Sequence, residues 1–281
     1  MVYDTILLRY GEIFLKGKNK GMFERKLAEN IRKIVGKTGK HKPAVTKSRG
    51  RLLMAYISNH SSLRQVFGLT SYSPAVRVEK NIGEIQRKAV KLLQGRKGTF
   101  RIVTKRSDKS FPTTSIELNR MVGEYVEKET KLEFSPTSPD IILEIEINQE
   151  GIYLFFETIS CVGGMPAGVE GRVLVLVDDE ASLLAGLLFM KRGCSVYPVA
   201  FAEKDISLLQ KFSPMELYFN QVKDFKELEE LAAKKEISIL VTGQILGDEN
   251  YKTNLTVMKP LIAYSKKEIE EWLKWYRGLV M

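Results

Sequence analysis

The chain has 281 residues, 44% of them hydrophobic and 28% charged, which is enough for two or three domains with buried cores and excludes a disordered tail. The sequence contains no apolar run of about 18 residues, which excludes a membrane span, and no signal-peptide pattern. It has only two cysteines, Cys161 and Cys194, which excludes a disulfide framework. We therefore expect a cytoplasmic protein. The net charge of +10 lies in residues 1–60, which hold 14 Lys and Arg against 4 Asp and Glu; this favours a polyanionic partner over a merely solvated basic face.

The first predicted unit, residues 1–80, mixes strands and helices. An apolar strand at 4–9 is followed by a glycine-rich basic loop at 11–21. Apolar residues such as Phe23 and Leu27 then recur at helical spacing with basic side chains between them, which predicts an amphipathic helix. The remaining predicted elements are a strand at 52–57, a short helix at 62–67 and a strand at 76–78. Together they predict a small α+β domain.

The second predicted unit covers residues 81–168. Its predicted elements are helices at 82–93 and 115–129 and strands at 100–104, 141–147 and 152–156. The turn from Asn148 to Gly151 joins the last two strands as a hairpin. Glycine and proline are concentrated at 163–168, which is typical of a linker between domains.

The third predicted unit, residues 169–281, begins with a continuous apolar run at 173–177. Such a run is typical of a central parallel strand that is buried on both faces. The elements that follow are a helix at 182–192, a strand at 196–201, a helix at 225–235 and a strand at 237–241. This alternation predicts a doubly wound α/β domain.

Three blocks of sequence carry a family resemblance by their order and spacing. The first is RYGEIFLKGKN at 9–19, the second runs from Phe100 through Phe111-Pro112 to Gly168, and the third combines 171–193 with Thr242-Gly243 and KPLI at 259–262. Together they resemble the tRNA 4-thiouridine synthetase (tRNA sulfurtransferase) family, which is linked to thiamine biosynthesis. The resemblance implies a ferredoxin-like domain at 1–80, a THUMP domain at 81–168 and an ATP-pyrophosphatase-like domain at 169–281.

Basic residues concentrate in two places that suit binding to phosphate. One is the glycine-rich loop, where open backbone and flexible side chains can meet phosphate oxygens; the other is the end of the strand at 100–104 and the loop that follows it. The resemblance implies that these regions hold the acceptor stem and 3′ end of tRNA. The predicted RNA-binding residues are Arg9, Lys16, Lys18, Lys20, Arg101, Lys105, Arg106 and Lys109. For each of them singly, an ordinary surface charge is the alternative.

The third block departs from the family at the nucleotide site. The family has a Ser-Gly-Gly-x-Asp-Ser loop, in which small residues let backbone N–H groups approach phosphates at the start of a helix. Here Asp178 and Asp179 replace the two glycines, Ala181 replaces the aspartate, and only Ser182 matches. Two like charges about 4 Å apart repel by about 4 kcal/mol at an effective dielectric near 20, so tight ATP binding is not expected. The predicted vestigial nucleotide site consists of Asp178, Asp179, Ser182, Thr242 and Gly243.

The cysteine that receives sulfur in the family also has no counterpart, since residues 195–281 contain no cysteine. Cys161 and Cys194 are interpreted as structural thiols, and no catalytic residue is assigned. We therefore expect a tRNA-binding pseudoenzyme without cofactors. Two alternatives stay open: a working sulfurtransferase that uses ATP, Mg²⁺ and an external sulfur carrier, and a protein-interaction module of a sulfur or thiamine pathway. A sulfur-relay partner and a homodimer are compatible with the sequence.

Overall fold

The computed structural model describes residues 3–37, 43–48 and 50–280. The chain forms two compact units, each of them discontinuous in sequence. The first unit combines Met1–Arg9, Ala44–Ser58 and Tyr72–Ile159, and the second combines Tyr10–Pro43, Asn59–Ser71 and Ser160–Met281. The boundaries predicted after residues 80 and 168 stay a prediction. Within the described ranges, no helix has the length and apolar character needed to cross a bilayer.

Among the described residues, nine strands form the larger sheet. They are β1 (Thr5–Tyr10), β2 (Val45–Ser48), β3 (Arg51–Ala55), β4 (Leu69–Val78), β5 (Thr99–Arg106), β6 (Glu133–Phe134), β7 (Ile141–Asn148), β8 (Gly151–Phe155) and β9 (Ile159–Ser160). The order is β2-β3-β1-β4-β8-β7-β5-β6, and β9 pairs with β4. Strands β7 and β8 are antiparallel with Asn148 opposite Gly151, which confirms the predicted hairpin.

Two helices of the first unit, α2 (Ile82–Leu93) and α3 (Ser115–Glu129), agree with the predicted bounds. Helix α3 begins with a capping box, in which Thr114 Oγ1 accepts from Glu117 N at 3.2 Å and the Glu117 carboxylate accepts from Thr114 N at 3.0 Å. Each fully buried large apolar side chain contributes about 1.5–3 kcal/mol to folding. The core residues of this unit include Ile85, Phe100, Leu118, Val122 and Leu143.

Helix α1 (Lys20–Gly36) lies in the second unit and buries Phe23 and Leu27, as its apolar spacing predicts. The loop predicted at 11–21 is instead a 3-10 helix over Glu12–Asn19 that leads directly into α1. Gly17 interrupts this helix with φ +50° and ψ −124°, a conformation that glycine adopts at little cost. Of the glycines that suggested a loop, Gly17 therefore marks a kink within a helical segment.

The smaller sheet, in the second unit, is parallel throughout. Its strands are β10 (Arg172–Leu176), β11 (Ser195–Ala200), β12 (Asn220–Gln221), β13 (Ile239–Val241) and β14 (Thr256–Met258), in the order β12-β11-β10-β13-β14. Its helices are α4 (Glu180–Lys191), α5 (Ser207–Phe212), α6 (Phe225–Lys234) and α7 (Lys266–Gly278). Chain connections run outward from β10 in both directions, as the predicted doubly wound fold requires.

Several short elements were not predicted from the sequence. Strands β12 and β14 have only two and three residues, so no alternating pattern can reveal them. Strand β4 begins at Leu69, seven residues before the predicted start, because its first half carries Thr and Ser between apolar residues. Helix α7 was also missed, although Ser265 and Glu268 form a capping box before a helical apolar pattern.

Candidate functional site

The carboxyl ends of β10 and β13 form the first candidate site. These strands are neighbours at the point where the strand order reverses direction, which is where ligands bind in doubly wound sheets. Residues that follow them line a cleft of about 280 Å³. The residues that line it are Asp178, Asp179, Ser182, Gly243, Gln244, Asp248, Glu249 and Tyr251. The structure thus brings together the predicted residues, with Thr242 buried beside them at 1% exposure.

The backbone N–H groups at the start of α4 are engaged within the chain. Asp179 is the N-cap, and its carboxylate accepts from the N–H and the hydroxyl of Ser182 at 3.0 and 2.9 Å. Ser182 Oγ in turn accepts from the N–H groups of Asp178 and Asp179 at 3.2 and 3.3 Å. Three amides that would face a phosphate in a glycine loop therefore have internal acceptors.

Gly243 brings the loop after β13 against this helix start. A Cβ atom at Gly243 would lie 2.5 Å from Ser182 N and 2.9 Å from Ser182 Oγ, so a larger residue cannot be accommodated without backbone movement. Glycine at 243 is thus explained by close packing of the two loops. The same packing covers the N–H of Ser182 from that side.

The electrostatics of the cleft are acidic. Its described lining contains the carboxylates of Asp178, Asp179, Asp248 and Glu249 and no Lys or Arg. Tyr251 Oη donates to Asp178 Oδ2 at 2.5 Å, and burial followed by this hydrogen bond raises the pKa of Tyr251. Repelling carboxylates and engaged amides do not fit a triphosphate bound in the manner of a glycine loop.

A metal bound by the acidic run is the alternative that would reverse this conclusion. Within the described ranges, no group of three or more His, Cys, Asp or Glu side chains is arranged to hold a metal ion. Mg²⁺ favours carboxylate and phosphate oxygens in octahedral geometry. The Mg²⁺ alternative stays a prediction.

A second cleft of about 470 Å³ adjoins the first and shares Asp178 and Asp179 with it. It differs by carrying basic side chains, which the sequence analysis did not single out: Lys204, Lys211 and Arg277. Lys204 Nζ donates to the Asp178 carbonyl oxygen at 2.6 Å, and Arg277 forms a 2.6 Å ion pair with Glu180. Two of these cations, Lys204 and Arg277, thus contact the acidic segment at 178–180.

Neither cysteine has the character of a sulfur carrier. Burial raises the pKa of Cys161 to about 12 and also raises the pKa of Cys194. The thiolate is the reactive form of cysteine, so both side chains are protonated and weakly nucleophilic near neutral pH. This supports the interpretation of both as structural thiols.

The second unit contains three of the predicted RNA-binding residues, Lys16, Lys18 and Lys20, which all lie on the 3-10 helix or at the start of α1. Lys16 Nζ is 3.0 Å from a Glu170 carboxylate oxygen and lies over the Phe23 ring. Lys20 Nζ is 3.7 Å from a Glu24 carboxylate oxygen. Lys18 is exposed. We call residues 12–20 the basic segment.

Arg9 lies in the first unit and is less accessible than the prediction implied. Its side chain is 15% exposed, and its guanidinium donates to Ser73 Oγ at 2.9 Å and to Glu146 at 3.4 Å. It also stacks over the Phe155 ring. Burial lowers the pKa of Arg9, and the buried Glu146 carboxylate counters that effect. Arg9 therefore organises the sheet, and its contact with RNA stays a prediction.

The other predicted RNA-binding residues of the first unit, Arg101, Lys105, Arg106 and Lys109, lie on β5 and the loop after it. Arg101, Lys105 and Lys109 are exposed, whereas Arg106 is half-buried and donates to the Phe111 carbonyl oxygen at 2.8 Å. Asp108, which lies between Arg106 and Lys109, was not predicted from the sequence. Its buried carboxylate accepts from Lys80 Nζ at 2.6 Å and from Ser110 Oγ at 2.6 Å, which anchors the loop.

Comparison with known proteins identifies two family domains in this chain. Residues 5–73 match the ThiI ferredoxin-like domain, and residues 79–157 match the THUMP domain. A probable tRNA sulfurtransferase of Mycoplasmopsis synoviae is 32% identical over 95% of this chain and 83% of its own length. A probable tRNA sulfurtransferase of Brevibacillus brevis is 37% identical over 72% of this chain, and the match spans only 52% of that relative.

Solved structures show the same fold over nearly the whole chain. PH1313 from Pyrococcus horikoshii Ot3 has a TM-score of 0.83 at 29% identity and covers 98% of this chain and 99% of its own. A 4-thiouridine synthetase in complex with RNA and bound ATP has a TM-score of 0.79 at 24% identity, covering 98% and 85%. The class is therefore a multidomain protein with ferredoxin-like, THUMP and α/β domains. The chain belongs to the tRNA sulfurtransferase family.

Proposed function

We propose that this chain binds tRNA through the acceptor stem and 3′ end and does not itself carry out ATP-dependent sulfur transfer. The proposal places the protein in the cytoplasm with its tRNA partner. Binding is supported by the THUMP domain, by the basic first sixty residues and by the RNA held in the structurally similar synthetase. A sulfur-relay partner and a homodimer stay predictions.

The observation that carries the second half of the proposal is the start of α4. Asp178 and Asp179 place two carboxylates where a triphosphate would need N–H donors, and Ser182 accepts hydrogen bonds from their amides. A phosphate group would have to displace these hydrogen bonds and also approach the negative charges. The loss of these hydrogen bonds and the repulsion by the carboxylates both oppose ATP binding at the start of α4.

The alternative is an active tRNA uridine sulfurtransferase that forms 4-thiouridine with ATP, Mg²⁺ and an external sulfur carrier. It is favoured by the Mycoplasmopsis relative, which is named as a sulfurtransferase and aligns over 95% of this chain. In that case a different nucleotide geometry would be required, since the amides at the start of α4 are already engaged.

Two measurements on the full chain test the proposal. Affinity for tRNA is measured across a potassium chloride series, and log K should fall with log salt by about 0.9 for each phosphate contacted on duplex. ATP with Mg²⁺ is titrated by calorimetry against the wild-type chain and against Asp178→Gly/Asp179→Gly/Ala181→Asp, which restores the glycine loop.

The expected result is salt-dependent tRNA binding without micromolar ATP binding by the wild-type chain. Absence of salt-dependent tRNA binding would refute the RNA half of the proposal. Micromolar ATP binding by the wild-type chain would refute the second half of the proposal and favour the alternative. ATP binding only by the triple variant would show that the acidic segment is what prevents it.

A further inference from the structure

Two apolar side chains are exposed in the middle of the basic segment. Leu15 is 87% exposed and Phe14 is 48% exposed, whereas the apolar residue before them, Ile13, is fully buried. Single exposed leucines are common on protein surfaces. Here, however, the two adjacent apolar side chains are flanked by Lys16, Lys18 and Lys20, so an anionic partner that reaches one group also reaches the other.

The backbone that carries these side chains is fixed. Phe14 N donates to the Gly11 carbonyl oxygen at 3.0 Å, and the Phe14 ring packs against Tyr10 with 4.9 Å between centroids. Lys20 Nζ lies 4.7 Å from the centre of the Phe14 ring, and Tyr10 Oη donates to a Glu24 carboxylate oxygen at 2.5 Å. Leu15 is therefore presented to solvent by a structured platform, which lowers the entropy lost when a partner binds.

The chemistry of RNA determines where such a surface can dock. Along an A-form duplex the apolar base faces are stacked inside, so a leucine meets only ribose and phosphate there. Base faces become accessible where the duplex ends or where nucleotides are unpaired. Phosphates lie around the same end, within reach of lysine side chains.

We infer that Leu15, supported by Phe14, packs against the exposed base face at the end of the acceptor stem, while the neighbouring lysines bind its phosphates. This inference rests on the proposed tRNA binding and adds a positioning role to it. Leu15 determines the position at which the protein binds along the RNA. The lysines contribute electrostatic affinity that is the same at every position along the stem. An apolar partner protein would gain from Leu15 but would not require the three lysines.

The test compares two RNAs of the same stem sequence. One is a minihelix with an open end and an unpaired 3′ extension. The other is closed at both ends by short non-nucleotide linkers, so it has neither an open duplex end nor an unpaired nucleotide. Leu15→Ser should lose about tenfold in affinity for the open minihelix, equivalent to about 1.4 kcal/mol at 25 °C, and little for the closed RNA. The salt slope should remain that of the wild-type chain.

Leu246→Ser is the matched control, because Leu246 is 81% exposed but lies beside Gln244 and Asp248 rather than lysines. It should bind both RNAs as the wild-type chain does. Lys18→Ala should instead weaken binding of both RNAs and reduce the salt slope by about 0.9.

The outcomes distinguish a failure of the role of Leu15 from a failure of tRNA binding itself. A wild-type chain that binds neither RNA in a salt-dependent manner refutes the proposed function itself. A wild-type chain that binds both, with Leu15→Ser either unchanged or equally weakened on both, leaves tRNA binding intact and overturns the role of Leu15.

Discussion

Asp108 fixes the loop that carries Arg106 and Lys109, and its titration gives a test of that role. Hydrogen bonds from Lys80 and then from Ser110 lower the pKa of Asp108 to about 2, against about 3.9 in an unfolded chain. Its stabilising effect is therefore fully present above about pH 4 and is lost as the pH falls through about 2. Asp108→Asn should lower the urea midpoint at pH 6, and the difference from wild type should shrink towards pH 2.

Lys80 supplies the control for this prediction. In a Lys80→Gln background the main hydrogen bond to Asp108 is gone, so adding Asp108→Asn should cost less at pH 6 than it does in the wild-type chain. A difference between Asp108→Asn and wild type that is constant from pH 6 to pH 2 would contradict the assigned pKa.

Arg9 shows the limit of sequence reasoning for single residues. Arg9 lies three residues before the basic segment, which made an RNA-facing side chain the natural prediction. The structure pairs Arg9 with Glu146, 137 residues away, across a sheet whose strand order no local pattern reveals. By contrast, exposure of Lys18 follows from its place in a polar run, residues 16–20, and could be predicted.

Helix α4 is the element on which the question of catalysis depends, and its first turn makes an energetic prediction. Asp179 caps the helix through the N–H of Ser182, and replacing such a cap by alanine costs about 1 kcal/mol. Asp179→Ala should therefore lower the free energy of unfolding in urea by about that amount. That result would mean that helix capping alone explains an aspartate at position 179, with no need for a bound ligand.

Helix α6 provides a matched comparison. Asp224 caps it in the same way, with its carboxylate accepting from Glu227 N at 2.9 Å. Asp224→Ala should cost about as much as Asp179→Ala, about 1 kcal/mol. If Asp179→Ala leaves stability unchanged or raises it, relief of repulsion with Asp178 outweighs capping, and the acidic pair is better explained by an unidentified cationic ligand.

At the level of elements, the sequence predicts what long periodic segments determine. Helix α1 was anticipated from apolar residues at helical spacing and the central strand β10 from its continuous apolar run. The vestigial nucleotide site was predicted from the family resemblance, and the structure places its residues at the neighbouring ends of β10 and β13. Tyr251 could not be anticipated, since its contact with Asp178 depends on an irregular loop 73 residues later in the chain. The capping box of α7 was a readable signal that was missed.

Across the whole molecule the positive charge is concentrated in residues 1–60, and this favours binding of a polyanion by that part of the chain. Residues 172–281 contain 15 Lys and Arg against 16 Asp and Glu, so their field is nearly neutral. In the basic segment, Lys16 and Lys20 have carboxylate partners within the chain, which must be exchanged for phosphate on binding. Lys18 should therefore contribute most strongly per residue.

Replacing three lysines at a time tests where the polyanion binds. Lys16→Ala/Lys18→Ala/Lys20→Ala should weaken tRNA binding and reduce the slope of log K against log salt by up to about 2.7, three times the duplex increment. Lys223→Ala/Lys226→Ala/Lys234→Ala removes the same charge from exposed positions at α6 and should change the slope little. Equal effects of the two triple variants would mean that tRNA responds to net charge alone, which would contradict an RNA interface built on the basic segment.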